Sequence, residues 1–266
     1  MPRNITGVEV TSIVCSSVAI CATIVRFALR MGRLWIDDAW AMFSMSSLMI
    51  QVIAVFLPSY PSRLGASRYY LMAVMFYVTI WSARLSLLFS IIRIDPNPVR
   101  RKYLIANACI FVFICLFLIA QLFWVCEPQR KWKSLKLPQC QIGSQVAIFQ
   151  LITDALADLT LLITPLWVFR IIRDDWLRYR LMAIFSTCMV TTIVSLVHAV
   201  YILTAGGKKV VIAALVENGV SLVVCNVPVI ASAAIHLGEN YSARKAPGNL
   251  DSVTFTFTSS AGNGSC

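Results

Sequence analysis

The sequence predicts an all-helical membrane protein, a seven-transmembrane helix bundle with its N-terminus outside. Two observations carry that fold class. Seven apolar stretches, each about long enough to cross a bilayer, occupy most of the chain. Hydrophobic residues make up 59% of it and charged residues 13%, against about 45–50% and 25% in soluble domains. The apolar runs are continuous, whereas the strands of an outer-membrane barrel would alternate apolar and polar residues, so helices are expected.

The first stretch runs from Ile5 to Leu29 with only Met1 to Asn4 ahead of it, too long for the apolar core of a cleavable signal, and reads as a retained helix. The second, Ile36 to Pro58, opens on Asp37 and Asp38, carboxylates placed to cap free N–H groups, to meet the positive end of the helix dipole and to face a basic cytosolic rim. Its end is marked by Pro58. The third, Tyr69 to Ile92, carries Arg84 at its middle. The fourth, Tyr103 to Val125, follows a basic cluster, Arg100, Arg101 and Lys102. Spans five, six and seven are Ser144 to Phe169, Arg180 to Thr204 and Val210 to His236. Pro165 and Pro228 fall inside spans five and seven, where each removes a backbone hydrogen bond and favours a kink, as a hinge or as a fixed bend. Residues 1–238 form one membrane domain, and 239–266 read as a disordered Ser/Thr-rich cytosolic tail.

Orientation follows from the loop charges. With the N-terminus outside, thirteen Lys and Arg fall on the cytosolic side and nine on the outer side. Most of the net charge of +11 then faces anionic membrane lipid. Basic and aromatic residues do not interleave as they would for nucleic acid, so none is expected as a partner. The one long loop, CEPQRKWKSLKLPQC, is bracketed by Cys126 and Cys140 on the outer side. In an oxidising compartment the two read as a disulfide, with free interfacial thiols as the alternative. Of the three sequons, at Asn4, Asn240 and Asn263, only the first lies outside, close to the membrane, so little or no glycosylation is expected. The absence of a retention signal points to the plasma membrane.

Ionisable side chains within spans are costly, and each is a functional candidate with a partner to find. At about 1.5 Å per residue, Asp154, His198 and Glu217 lie about 9–12 Å from the outer ends of their helices, and Asp158 and Arg84 about 18–22 Å. Arg84 and Asp158 therefore read as an ion pair, structural or switching. Asp154, Glu217 and His198, with Glu9 at the rim, read as an outward-opening acidic site for a cationic ligand, a proton relay or a pH-sensitive histidine. Asp154 and Asp158 are four residues apart and share a helix face. The same residues read equally well as ties holding helices in register. Gln51, Asn107, Gln121, Gln150, Asn218 and Asn226 read as helix glue.

No Walker loop, dinucleotide-binding glycine signature, HExxH, GxSxG or Cys/His metal cluster occurs, so neither an enzyme nor a metal or other cofactor is expected. Span seven has no lysine to carry a retinal Schiff base.

Several marks together resemble a known family. Arg26 and Arg30 precede Asp37-Asp38-Ala39-Trp40; WSARLSLLFSIIRI covers Trp81 to Ile94; Cys126, Pro128, Trp132 and Cys140 pattern the long loop; Asp154, Asp158 and Pro165 mark span five, and Glu217 and Pro228 span seven. Over residues 1–238 the chain resembles the fungal rhodopsin-domain family, seven-span membrane proteins that include G-protein-coupled receptor-like members. It departs from the pattern in having Arg84 where a lysine is common, a single proline in span five and no large ectodomain. The resemblance implies a sensor for a small-molecule ligand, with a heterotrimeric G protein as partner. A proton-coupled transporter and a non-signalling accessory protein are the alternatives.

Overall fold

A computed structural model describes residues 7–57, 63–129, 132–133, 140, 143–169, 175–204 and 208–245. The described chain is seven helices: α1 (Gly7–Arg30), α2 (Ile36–Phe56), α3 (Arg63–Ile94), α4 (Pro98–Cys126), α5 (Ser144–Phe169), α6 (Asp175–Thr204) and α7 (Lys208–Lys245). All seven contain windows long and apolar enough to cross a membrane, and the described residues include no strand. This is a multi-pass integral membrane protein. Apolar side chains such as Val14, Ile53, Phe113, Trp124 and Ile193 point away from the bundle, as lipid-facing residues must.

Four helices outrun their apolar stretches. α3 begins at Arg63 rather than Tyr69, α4 at Pro98 rather than Tyr103, α6 at Asp175 rather than Arg180, and α7 continues to Lys245. Hydropathy marks only the segment in lipid, while the helix persists as long as its backbone bonds are made. At α4 the start is set by Asn97, whose side chain accepts from the Val99 N–H at 2.9 Å, with Pro98 at the first helical position. The expected boundary at residue 238 therefore falls inside α7, which continues to Lys245. Residues 246–266, Cys266 and Asn263 among them, and Asn4 lie outside the described residues.

The centre of the bundle is α3. It packs most extensively on α2, then on α7 and α4, and only slightly on α5. Its span is 67% buried, against 22% for α4 at the periphery. α7 in turn packs on α6 and α1. The buried residues of α1 (Glu9, Ser12, Ser16, Ala19, Thr23 and Arg26) recur every three or four positions, and the middle four are small, which lets α7 come close. At Gly219 the approach leaves no room for a side chain: a Cβ would stand 2.8 Å from Cys15 Cβ.

One end of the bundle carries the disulfide and the other the arginines near the α1–α2 and α3–α4 turns. At the disulfide end Cys126 and Cys140 are bonded. Trp132 is buried beneath them, its indole N–H donating to the Cys126 carbonyl at 3.0 Å and its ring packing edge-on against Tyr69 and Tyr70.

Candidate functional site

Two buried ionic networks occupy the bundle. The first lies between α3, α5, α6 and α7. Arg84 donates from Nη1 to Asp154 Oδ1 at 2.5 Å and from Nε to Asp158 Oδ1 at 3.0 Å, so one guanidinium spans both carboxylates. The i,i+4 spacing on α5 allows this, because both acids project from the same face. Asp158 also accepts from the Thr192 hydroxyl of α6 at 3.0 Å. Next to this group, Glu217 of α7 pairs with His198 Nδ1 at 2.5 Å and accepts from Ser195 at 2.5 Å, both on α6. The imidazole rests edge-on against Phe76 of α3, and Tyr77 donates to Gln150 of α5 at 3.2 Å.

Asp154 thus sits differently from the sequence expectation. Depth alone groups it with Glu217 and His198, whereas the structure bonds it to Arg84. The reason is reach: Arg84 presents several N–H donors at the end of a long stem and can serve a carboxylate one turn away. Asp154 remains a neighbour of the upper group, since a narrow cleft between α5 and α6 is lined by Gln150, Leu151, Asp154, Ser195, His198 and Ala199. Glu9 is buried near the start of α1.

The charges in this layer do not balance. Three carboxylates (Asp154, Asp158 and Glu217) face one arginine, with His198 the only other group able to carry positive charge among those named. All five are at most 5% exposed. Such an arrangement can take up a proton or a cation, and it can change partners when it does.

The second network lies at the opposite end, between α1, α2, α3 and α7. Arg26 is fully buried and donates to Asp38 Oδ1 and Asp37 Oδ2, each at 2.9 Å, and to the Cys225 carbonyl at 2.9 Å. Arg30 donates to Asp37 Oδ2 at 2.5 Å and to Asp38 Oδ1 at 2.9 Å. From α3, Ser90 donates to Asp37 Oδ2 at 2.9 Å and Ser86 to the Asp37 carbonyl at 2.7 Å. Pro228 lacks the N–H that would serve the Val224 carbonyl, and the Cys225 carbonyl that Arg26 holds is the next one along. Arg26 therefore braces α7 where proline loosens it.

The expectation for Asp37 and Asp38 as cap and rim is met only in part by this geometry. Asp38 accepts from the Trp35 N–H at 3.1 Å, the capping contact. Asp37 makes its side-chain bonds to Arg26, Arg30 and Ser90, and both acids are buried, not at a rim. The spacing of Arg26 with Ser12, Ser16, Ala19 and Thr23 was the signal available in the sequence: an arginine on a stripe of small residues lies on the packed face of its helix.

Among the glue residues, Asn218 donates to Gln51, Asn226 donates to Thr23 at 2.9 Å, and Gln150 accepts from Tyr77. The described residues contain no cluster of three or more His, Cys, Asp or Glu able to hold a metal. No family model matches the chain, and no curated protein matches it.

Proposed function

We propose that this chain is a receptor-like seven-helix membrane protein of the fungal rhodopsin-domain type, sensing a small molecule at its disulfide-bearing face. In this reading that face lies outside at the plasma membrane, which the Cys126–Cys140 bond and the arginines at the other end support. The observation that carries the reading is the Arg84 guanidinium shared by Asp154 and Asp158 beside the Glu217–His198 pair, a layer that joins four helices. A ligand competing for Asp154 or Glu217 alters bonds on α3, α5, α6 and α7 together, and a cytosolic partner meets the result at the basic turn from Arg93 to Lys102.

The test is nucleotide exchange by heterotrimeric G proteins on the protein in lipid discs, with Arg84→Ala and Asp158→Asn beside it. Exchange above empty discs that changes in either variant is the expected result. Exchange that stays at the level of empty discs throughout, including with ligand libraries, overturns the receptor reading.

A second reading, proton-coupled transport, is favoured by the surplus of carboxylates over fixed cations in the same layer. It expects uptake that depends on a pH gradient and disappears in Asp154→Asn.

A further inference from the structure

The two networks meet on opposite faces of α3. From Arg84 to Arg93 is nine residues, about 13 Å along the axis and about half a turn around it. Arg84 faces α5, while Ser86, Ser90 and Arg93, spaced by four and three, turn toward Asp37 on α2. One contact on that second face is unfinished. All three side-chain donors to Asp37, from Arg26, Arg30 and Ser90, converge on Oδ2. Oδ1 is buried without a hydrogen-bond partner, and so is Arg93 Nη1. These two atoms face each other at 3.9 Å, too far to bond. The Arg93 guanidinium is kept in place over the Trp35 ring, 5.1 Å from its centroid.

A buried carboxylate oxygen and a buried guanidinium nitrogen, both unbonded and about 1 Å beyond bonding distance, describe a contact held open. The other face of α3 is attached differently. α3 packs broadly on α2 but only slightly on α5, so its attachment to α5 depends on a few polar bonds, chiefly those from Arg84 to Asp154 and Asp158, with Tyr77 to Gln150 above them.

We infer that Arg93 and Asp37 form a latch coupled through α3 to Arg84: the latch is open while Arg84 is held by Asp154 and Asp158, and it closes when that hold is released. Release lets α3 settle toward α2, its larger interface, and brings Arg93 Nη1 within bonding distance of Asp37 Oδ1. The coupling is reciprocal, so a closed latch also weakens the hold of α5 on Arg84. It is independent of what performs the release, whether a ligand, a proton or a lipid, and it stands even where the receptor reading fails.

The experiment is a double-mutant cycle on the full chain in lipid discs, read as the midpoint of thermal unfolding. R93Q is introduced into the wild-type chain and into D158N, in which the Arg84 hold is loosened. With the latch open in the wild type, R93Q has a small effect there; in D158N it removes a formed pair and lowers the midpoint by about 2–4 °C more. R93K in the D158N background recovers part of the loss, because a charged donor is restored. Where D158N yields no folded protein, D154N takes its place, since its amide oxygen still accepts from Arg84 but without charge. An R93Q shift that is equal or smaller in the released background overturns the latch.

Discussion

The Arg26 network and the Arg84 network are built from the same residue types and differ in where their partners come from and in how their charges add. Arg26 and Arg30 meet Asp37 and Asp38 across a short turn, with all four on neighbouring helices, and two cations answer two acids. Arg84 reaches acids on α5, more than sixty residues away, and the layer around it holds an acid that Arg84 does not pair, Glu217. The local network acts as a clamp, with Arg93 facing Asp37 Oδ1 at 3.9 Å as its one adjustable contact. A distant, unbalanced network has several arrangements of similar energy, and a ligand or proton can choose among them.

The contrast predicts unequal responses to neutralisation. The largest effect falls on the clamp: Arg26→Met leaves Arg30 as the one arginine hydrogen-bonded to the two buried acids and removes the donor to the Cys225 carbonyl, at a cost of about 3–5 kcal/mol. The readout is loss of folded, monodisperse protein or a large fall in the unfolding midpoint in lipid discs. Cys126→Ser comes next, at about 3 kcal/mol from the freed loop. Its consequence stays at the disulfide end, so hydrogen exchange rises around Trp132 and the start of α5 while the amides around Asp37 stay protected.

Gly219→Val sharpens the comparison from the side of α7, which with α3 is common to both networks. Its side chain meets Cys15 of α1, 2.8 Å from where the added Cβ stands, and overpacking of this kind costs about 1–3 kcal/mol. The smallest effect is expected for Glu217→Gln, at about 1 kcal/mol, because the amide oxygen still accepts from Ser195 and the layer loses a charge it holds in excess. Unfolding midpoints measured side by side decide the matter. A cost for Glu217→Gln as large as that for Arg26→Met would erase the distinction between clamp and adjustable layer.

Much of the site could be read before any helix was packed. Counting residues from the helix ends puts Arg84 and Asp158 at similar depth, and the four-residue spacing puts Asp154 on the same face as Asp158. What the count lacks is the rotation of one helix against another. Depth alone therefore groups Asp154 with Glu217 and His198, and it does not reach Ser195 and Thr192, which supply the hydroxyls of the layer, or Arg26, the most enclosed cation of the clamp. Ser195 and Thr192 carry no distinguishing mark in the sequence, since hydroxyl residues within spans commonly return their proton to their own helix, as Thr192 also does toward the Cys188 carbonyl.

The sequence by itself determined the number of spans and the residues that cross the membrane, because transfer of a segment into lipid depends on its own composition and length. Only the tertiary structure decided which acid each arginine serves, which α3 face looks toward α2 and which toward α5, and that Asp37 keeps one oxygen unbonded in front of Arg93. Those depend on the axial rotation of each helix. In spans that are apolar almost all round, rotation is set by a few small and polar contacts with neighbouring helices that no single segment contains.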